Sequence, residues 1–247
     1  MNDAVERAAS ILAGANSLVV TTGAGMSKES GIPTFRDAPN ALWANYNPEE
    51  LATPEGFLRN PELVWRWYAQ RRDLIAACAP NEGHRALTEL ETFYEDYLLI
   101  TQNIDNLHRA AGSSDPVEVH GNIFRYKCFD NHHAAQSLPE GDEIPPRCHC
   151  GSMMRPDVVW FGELLPADQL ERAYAALAQC DAVLVVGTSG QTYPAAGFPG
   201  IARQAGARVV EVNPERSTIS ELAEVFVGAG AAVALPSIVE RTRSLRE

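Results

Sequence analysis

Polar side chains that could bind a sugar or an amide follow two strand-like segments of the sequence. Gln102, Asn103 and Asp105 come directly after an apolar run, and His120 ends another. Two amides, a carboxylate and an imidazole suit a polyol and a carboxamide better than a metal ion. A histidine alone at a strand end is more often a core residue, so a functional interpretation depends on several polar strand ends meeting at one place.

A short glycine-containing loop stands where a phosphate could bind. Gly23, Ala24 and Gly25 follow the apolar run "SLVVTT", and glycines there let backbone N–H groups approach a pyrophosphate closely. A tight turn without a ligand is the competing interpretation. The residues after Gly25 fit the fingerprint of hydride-transferring enzymes poorly, and the following irregular loop is expected to present Phe35 and Arg36 to the ligand.

Two later strand ends could complete the same site. Gly187 and Ser189 belong to "GTS", and Asn213 begins "NPE". Open α/β sheets bind ligands at the carboxyl ends of their strands. Asn213 could therefore bond a ribose or an adenine, although an asparagine before proline is also an ordinary turn former.

An aromatic helical stretch, 64–72, carries a phenol and a guanidinium one turn apart. Tyr68 and Arg71 share a helix face because they are three positions apart, and together they could bind a carboxylate. Arg72 satisfies the same geometry. The competing interpretation is that the arginine side chains extend past apolar surface into water.

The order of apolar segments predicts the framework that positions these residues. Strand patterns alternate with helical ones, and the strands are almost continuously apolar, which predicts an α/β fold with a buried parallel sheet and helices on both faces. Two stretches lack this alternation of strands and helices, 37–76 and 122–156, and they are predicted to build a second, smaller domain. The strands are predicted at 17–23, 97–103, 117–121, 182–189, 207–213 and 223–230, and helices at 2–13, 83–93, 166–179 and 194–205.

Composition narrows the class of protein. The chain has 247 residues, 45% of them hydrophobic, and a net charge of −12, which disfavours direct binding to nucleic acid backbones. No apolar run reaches the ~18 residues of a membrane span, and the first residues lack a signal-peptide pattern. Five cysteines, an odd number, fit a reducing compartment. We expect a cytoplasmic monomer that binds neither nucleic acid nor membrane.

Six motifs, in their order along the chain, resemble the signature motifs of the sirtuins, the NAD-dependent protein lysine deacylases. The resemblance extends from about residue 10 to 240. It implies a Rossmann-like large domain (1–36, 77–121 and 157–247) and a small domain made of a helical module and a zinc-type module. NAD and an acyl-lysine peptide would meet in the cleft between them. The motifs are "GAGMSKESGIPTFRD", "TQNIDNLH", "HGN", "RPDVVWFGE", "GTS" and "VNPE".

The resemblance also implies a role for each matching residue. His120 would act as general base toward a ribose hydroxyl, with Asn103 and Asp105 facing the nicotinamide and its ribose, and lysine, nicotinamide and O-acyl-ADP-ribose would be released. The peptide would pair as an added strand with the segment containing Val159, Phe161 and Gly162. The residues implied to bind NAD are Gly23, Ala24, Gly25, Arg36, Gln102, Asn103, Asp105, Gly187, Ser189 and Asn213.

One class of sirtuins carries a Tyr-x-x-Arg pair and prefers succinyl and malonyl groups. Tyr68 and Arg71 match that pair, and Ala52 matches a small residue that leaves room for a longer acyl group. Thr192 departs from the usual valine. The resemblance therefore implies a desuccinylase or demalonylase that also deacetylates. Mono-ADP-ribosyl transfer, NAD hydrolysis and a non-catalytic NAD-sensing module are the alternatives.

The cysteines depart from the usual zinc module of two C-x-x-C pairs. Cys128 has Asn131 where its partner would be, and Cys148 and Cys150 are separated by one residue. Zinc could still bind, because three thiolates need one further ligand to complete a tetrahedron. A metal-free loop with free thiols is the alternative. The candidates for the fourth ligand are Asp130, His132, His133 and His149; Cys78 and Cys180 are expected to be core residues.

Overall fold

A six-stranded parallel sheet lies at the centre of the computed structural model, which describes residues 2–33, 48–135, 137–138 and 142–247. All six predicted strands are present, and every pair in this sheet is parallel, as expected. The strands of the whole structure are β1 (Ser17–Thr22), β2 (Asp96–Thr101), β3 (Val117–Glu118), β4 (Gly121–Cys128), β5 (Ala134–Ala135), β6 (Met154–Val158), β7 (Ala182–Val186), β8 (Arg208–Val212) and β9 (Val225–Val227). The order of strands in the parallel sheet is β3-β2-β1-β7-β8-β9.

The strand order sets the position of the main crevice. The chain builds outward from β1 through β2 to β3, and then returns to the other side of β1 to place β7. Ligands bind at such a reversal, beyond the carboxyl ends of the two strands that flank it. Thr22 pairs with Val186 at these ends, so the loops that follow β1 and β7 emerge side by side.

Helices cover both faces of the sheet, which explains why all five residues of β7 are buried. Leu12, Leu87 and Leu235 pack on one face, and Leu177 and Phe198 on the other. The helices are α1 (Asn2–Ala13), α2 (Pro48–Leu51), α3 (Pro54–Arg59), α4 (Pro61–Ala76), α5 (Glu82–Glu91), α6 (Leu107–Ala111), α7 (Ala167–Leu177), α8 (Phe198–Gln204) and α9 (Ala231–Arg246), with 3-10 helices at Ala24–Ser30 and Ala195–Gly197. Within the described residues, no helix combines the length and apolar character required to cross a bilayer.

A second sheet and three helices form the smaller part of the structure. Strands β5, β4 and β6 make an antiparallel sheet, and α2, α3 and α4 pack on it through a shared cluster that includes Phe57, Trp67, Ile123 and Trp160. This part of the chain does not follow the strand–helix alternation of the large sheet, and its strands were not predicted. The exact division of the chain into two domains stays a prediction.

Candidate active site

The loops after β1 and β7 touch each other through glycines. The Gly25 N–H donates to the Gly187 carbonyl oxygen over 2.8 Å. A Cβ added at Gly25 would lie 2.8 Å from Gly187 Cα, and Gly187 itself has a φ of +60°. Side chains are therefore excluded by contact and by backbone conformation, and Ala24 lies half-buried between Gly23 and Gly25. Such a bare backbone surface fits the close approach of a pyrophosphate.

The polar residues after β2 are hydrogen-bonded to this glycine loop. Asn103 Nδ2 donates to the Gly23 carbonyl oxygen over 3.0 Å and to Ser27 Oγ over 3.2 Å. Asp105 is buried and accepts from Ser27 Oγ at 2.6 Å and from the Leu107 N–H at 2.9 Å. Burial raises the pKa of Asp105, and those two hydrogen bonds oppose the rise. Both side chains are held in one orientation before any ligand binds.

His120 is oriented by the backbone of the neighbouring strand end. Its Nδ1 lies 3.0 Å from the Gln102 carbonyl oxygen. A carbonyl oxygen only accepts, so Nδ1 carries the proton and Nε2 keeps a lone pair. Burial lowers the pKa of His120 from its ordinary value of 6.5, against a smaller opposing effect of the Gln102 bond. The ring is half-buried and is suited to accept a proton at neutral pH.

The loop after β7 connects the two halves of this crevice through Thr188. Gln102 Nε2 donates to Thr188 Oγ1 over 3.2 Å, and Asn213 Nδ2 donates to the Thr188 carbonyl oxygen over 3.0 Å. Ser189 is half-buried beside it. Sequence reasoning missed Thr188 and Ser27, although both stand inside motifs that had been selected. Of the predicted NAD-binding residues, Arg36 lies outside the described residues, and the others stand at the carboxyl ends of β1, β2, β7 and β8.

Helix α4 brings Tyr68 and Arg71 toward the same crevice. Tyr68 is buried, and the Arg71 guanidinium lies 5.4 Å from the centre of the Trp67 ring. Burial lowers the pKa of Arg71, whereas the Tyr68 phenol and the Asp105 carboxylate raise it. Arg72 instead lies over the Tyr126 ring at 5.2 Å, so the geometry favours Arg71 as the partner of Tyr68.

The segment 159–162 connects His120 with the small-domain core cluster that contains Tyr68 and Trp160. The Val159 N–H donates to the His120 carbonyl oxygen and the Phe161 N–H to the Ala52 carbonyl oxygen, each over 2.9 Å. Phe161 and Gly162 are exposed. A strand added here would have to pair with the carbonyl groups of Val159 and Phe161, because their N–H groups are already bonded.

The three clustered cysteines meet one histidine. Ligand atoms of Cys128, His133, Cys148 and Cys150 all lie within 4.8 Å of one another, and Cys128 Sγ is 3.5 Å from Cys150 Sγ. Tetrahedral zinc, with Zn–S bonds of about 2.3 Å, needs donors spaced in this way. The residues therefore fit a structural Cys₃His site that would hold the β4–β5 turn against the C-x-C loop, with His133 as the fourth ligand.

The amount of bound zinc should depend on His133 and not on His149, whose ring lies beside it. We expect His133→Ala to lower bound zinc from about one ion per chain to a small fraction, and to lower the melting temperature, because metal-binding energy contributes to folding. His149→Ala is the matched comparison: its Nδ1 lies 3.5 Å from Cys148 Sγ and its ring stacks on that of His133, but it does not belong to the group whose ligand atoms all lie within 4.8 Å of one another. Metal analysis of proteins purified without chelator measures both, and equal zinc loss in the two variants would contradict the assignment.

Comparison with known proteins gives the family. The profile of the Sir2 family matches residues 23–194, which include the glycine loop, the polar residues after β2 and β3, the cysteine cluster and the loop after β7. The chain belongs to the Sir2 family. Its curated relatives include an NAD-dependent protein deacylase of Aquifex aeolicus, 48% identical over 231 residues (92% of this chain and 95% of the relative). Another is NAD-dependent protein deacylase 2 of Pyrobaculum aerophilum, 49% identical over 236 residues (95% and 94%).

Solved structures of Sir2 proteins share the fold along the whole chain. A Sir2 homolog–NAD complex superposes with a TM-score of 0.90 at 39% identity, covering 98% of this chain and 95% of that one. Sir2Af2 bound to a myristoylated histone peptide gives a TM-score of 0.78 at 36% identity, covering 100% and 99%. The resemblance to the sirtuins and the Rossmann-like architecture are thereby confirmed.

Proposed function

We propose that this Sir2-family chain is an NAD-dependent protein lysine deacylase that removes succinyl and malonyl groups in preference to acetyl groups. The observation that carries the acyl preference is that Tyr68 is buried in an aromatic cluster with Trp67 and Trp160, while the Arg71 guanidinium, on the same face of α4, lies 5.4 Å from the centre of the Trp67 ring. The names of the curated relatives support the general activity. The glycine loop supports NAD as the cofactor, because it packs without side chains against Gly187 and Thr188 at the carboxyl ends of β1 and β7, where open α/β sheets bind nucleotides.

The catalytic roles follow from the atoms each side chain presents. Bound NAD supplies the electrophilic sugar carbon and nicotinamide as the leaving group. His120 Nε2, kept unprotonated by the Nδ1–Gln102 bond, is placed to take a proton from a ribose hydroxyl. Asn103 and Asp105, fixed by Gly23 and Ser27, orient the nicotinamide half, and Gln102 and Asn213 fix the loop that faces the other half.

The acidic acyl group would be recognised by complementary charge in a desolvated pocket. The Arg71 guanidinium can donate two parallel hydrogen bonds to a carboxylate, and the Tyr68 hydroxyl can donate a third. Ala52, which is buried in the same cluster, leaves space that a larger side chain would fill. An acetyl group has no carboxylate and gains nothing from either donor.

Nicotinamide release tests the proposal directly. The purified protein is incubated with NAD and one peptide sequence whose lysine is unmodified, acetylated, succinylated or malonylated. We expect release only with acylated peptides, and a higher kcat/KM for succinyl and malonyl than for acetyl. Release without peptide would indicate NAD hydrolysis. NAD binding without release would indicate a sensing module, and transfer of label from NAD to protein would indicate ADP-ribosylation.

A further inference from the structure

The Tyr68 hydroxyl oxygen is held by the indole of Trp160. Trp160 Nε1 lies 3.0 Å from Tyr68 Oη, and an indole N–H can only donate, so the hydroxyl oxygen accepts. Both side chains are buried. Among the described residues this is the one hydrogen bond that the Tyr68 hydroxyl makes. Its own proton is therefore directed away from the indole and remains available to an acceptor inside the pocket.

Trp160 is held in place by Arg155, which contacts its ring, and by Glu163, which accepts from its backbone N–H. The Arg155 guanidinium carbon lies 3.3 Å from the centre of the Trp160 ring, and Arg155 is fully buried. Glu163 Oε2 accepts from Arg155 Nη2 at 2.9 Å and from the Trp160 backbone N–H at 2.8 Å, and Arg155 Nη2 also donates to the Val158 carbonyl oxygen over 2.8 Å. These contacts fix both the backbone and the ring of Trp160, so the direction of its N–H is fixed too.

The protonation state of Tyr68 suits a donor. Burial raises the pKa of Tyr68 to about 12, although the Trp160 hydrogen bond and the charge of Arg71 each act to lower it. The phenol therefore keeps its proton at neutral pH and can donate it to a carboxylate. Without the indole N–H, the hydroxyl would be free to rotate, and a buried oxygen would lose its hydrogen-bond donor.

We propose that Trp160 is a positioning residue for acyl selection: its indole N–H holds the Tyr68 oxygen so that the Tyr68 proton faces the carboxylate of the acyl group. This inference rests on the proposed preference for acidic acyl groups. Trp160 also lies between Val159 and Phe161, in the segment expected to pair with the peptide, so the residue that fixes the acyl donor belongs to the segment that holds the substrate backbone.

The test is the ratio of kcat/KM for succinyl peptide to kcat/KM for acetyl peptide, which cancels any loss of active protein. We expect Trp160→Phe, which keeps a ring under Arg155 but removes the N–H, to lower this ratio about tenfold. Tyr68→Phe should lower it at least as much. The double variant should match Tyr68→Phe, because Trp160 acts through the hydroxyl. Trp65→Phe is the matched control, since Trp65 lies on α4 but stacks on Tyr126.

The outcomes separate this inference from the proposed function. A wild-type preference for succinyl that Trp160→Phe leaves unchanged overturns the role of Trp160 alone. Additive losses in the double variant would also overturn it, because Trp160 would then act by packing and not through the Tyr68 hydroxyl. Wild-type protein with no preference for succinyl overturns the proposed acyl specificity, and this inference with it.

Discussion

Replacing His120 by Asn is expected to lower kcat/KM with an acylated peptide by about 10²- to 10⁴-fold, the usual contribution of a positioned general base. Asn keeps a donor that could reach the Gln102 carbonyl oxygen, but it has no basic nitrogen to take a proton. The loss should appear in kcat more than in KM, since the proposed role of His120 is proton transfer from a ribose hydroxyl and not binding of the peptide. Steady-state kinetics with succinyl peptide and NAD measures the effect.

The control variant for this substitution is His132→Asn. His132 is exposed in the β4–β5 turn and has a φ of 54°, a conformation that Asn tolerates well. We expect its kcat/KM to stay close to that of the wild type. A His120→Asn variant with the activity of this control would show that His120 is not the base.

The pH profile of the wild type gives a second check on the same residue. A general base works in its unprotonated form, and burial lowers the pKa of His120 below 6.5. Activity should therefore be level through neutral pH and should fall in acid, with the midpoint of kcat/KM below 6.5. A midpoint well above 6.5 would mean that the protein stabilises the protonated form of His120, whereas burial is expected to destabilise that form.

The large sheet could be predicted because its strands carry their own signal. The β7 sequence "AVLVV" is apolar at every position, so both faces of this strand must be covered to remove its side chains from water. Helix α9 was missed because Pro236 interrupts its pattern. Strands β4 and β6 were missed because their sequences, such as "GNIFRYKC", mix polar and apolar residues without regular alternation. Their pairing with each other joins segments more than 25 positions apart in the chain.

The candidate site was predictable where residue type and strand position coincide, as at Asn103 and His120. It was not predictable where the chain must bring distant residues together. The bond between Trp160 and Tyr68 joins positions 92 apart in the chain, and His133 completes the cysteine group only through the turn after β4. Helix spacing alone did not separate Arg71 from Arg72; the resemblance selected Arg71, and the position of Arg72 over the Tyr126 ring supports that choice.

Arg71→Met is expected to lower kcat/KM for succinyl peptide, because the bound acyl carboxylate loses about 2–5 kcal/mol of stabilisation, the usual cost of removing one partner of a buried charge pair. That corresponds to roughly a 30- to 5,000-fold loss. Met keeps much of the apolar stem that packs near Trp67, so the pocket should retain its shape while the acyl carboxylate loses its counter-charge. Arg72→Met is the matched control, one position along the same helix.

Acetyl peptide provides the comparison that distinguishes a carboxylate-binding residue from a structural one. Arg71 also lowers the pKa of Asp105, so its removal should raise that pKa further and reduce acetyl turnover slightly, mainly at low pH. The diagnostic quantity is therefore the ratio of kcat/KM for succinyl peptide to kcat/KM for acetyl peptide, measured near neutral pH, where protonation of Asp105 is smallest. A ratio that falls in Arg71→Met and holds in Arg72→Met assigns acyl recognition to Arg71. Equal losses on both peptides would mean that Arg71 serves Asp105 and the fold, and that the acidic acyl group is recognised elsewhere or not at all.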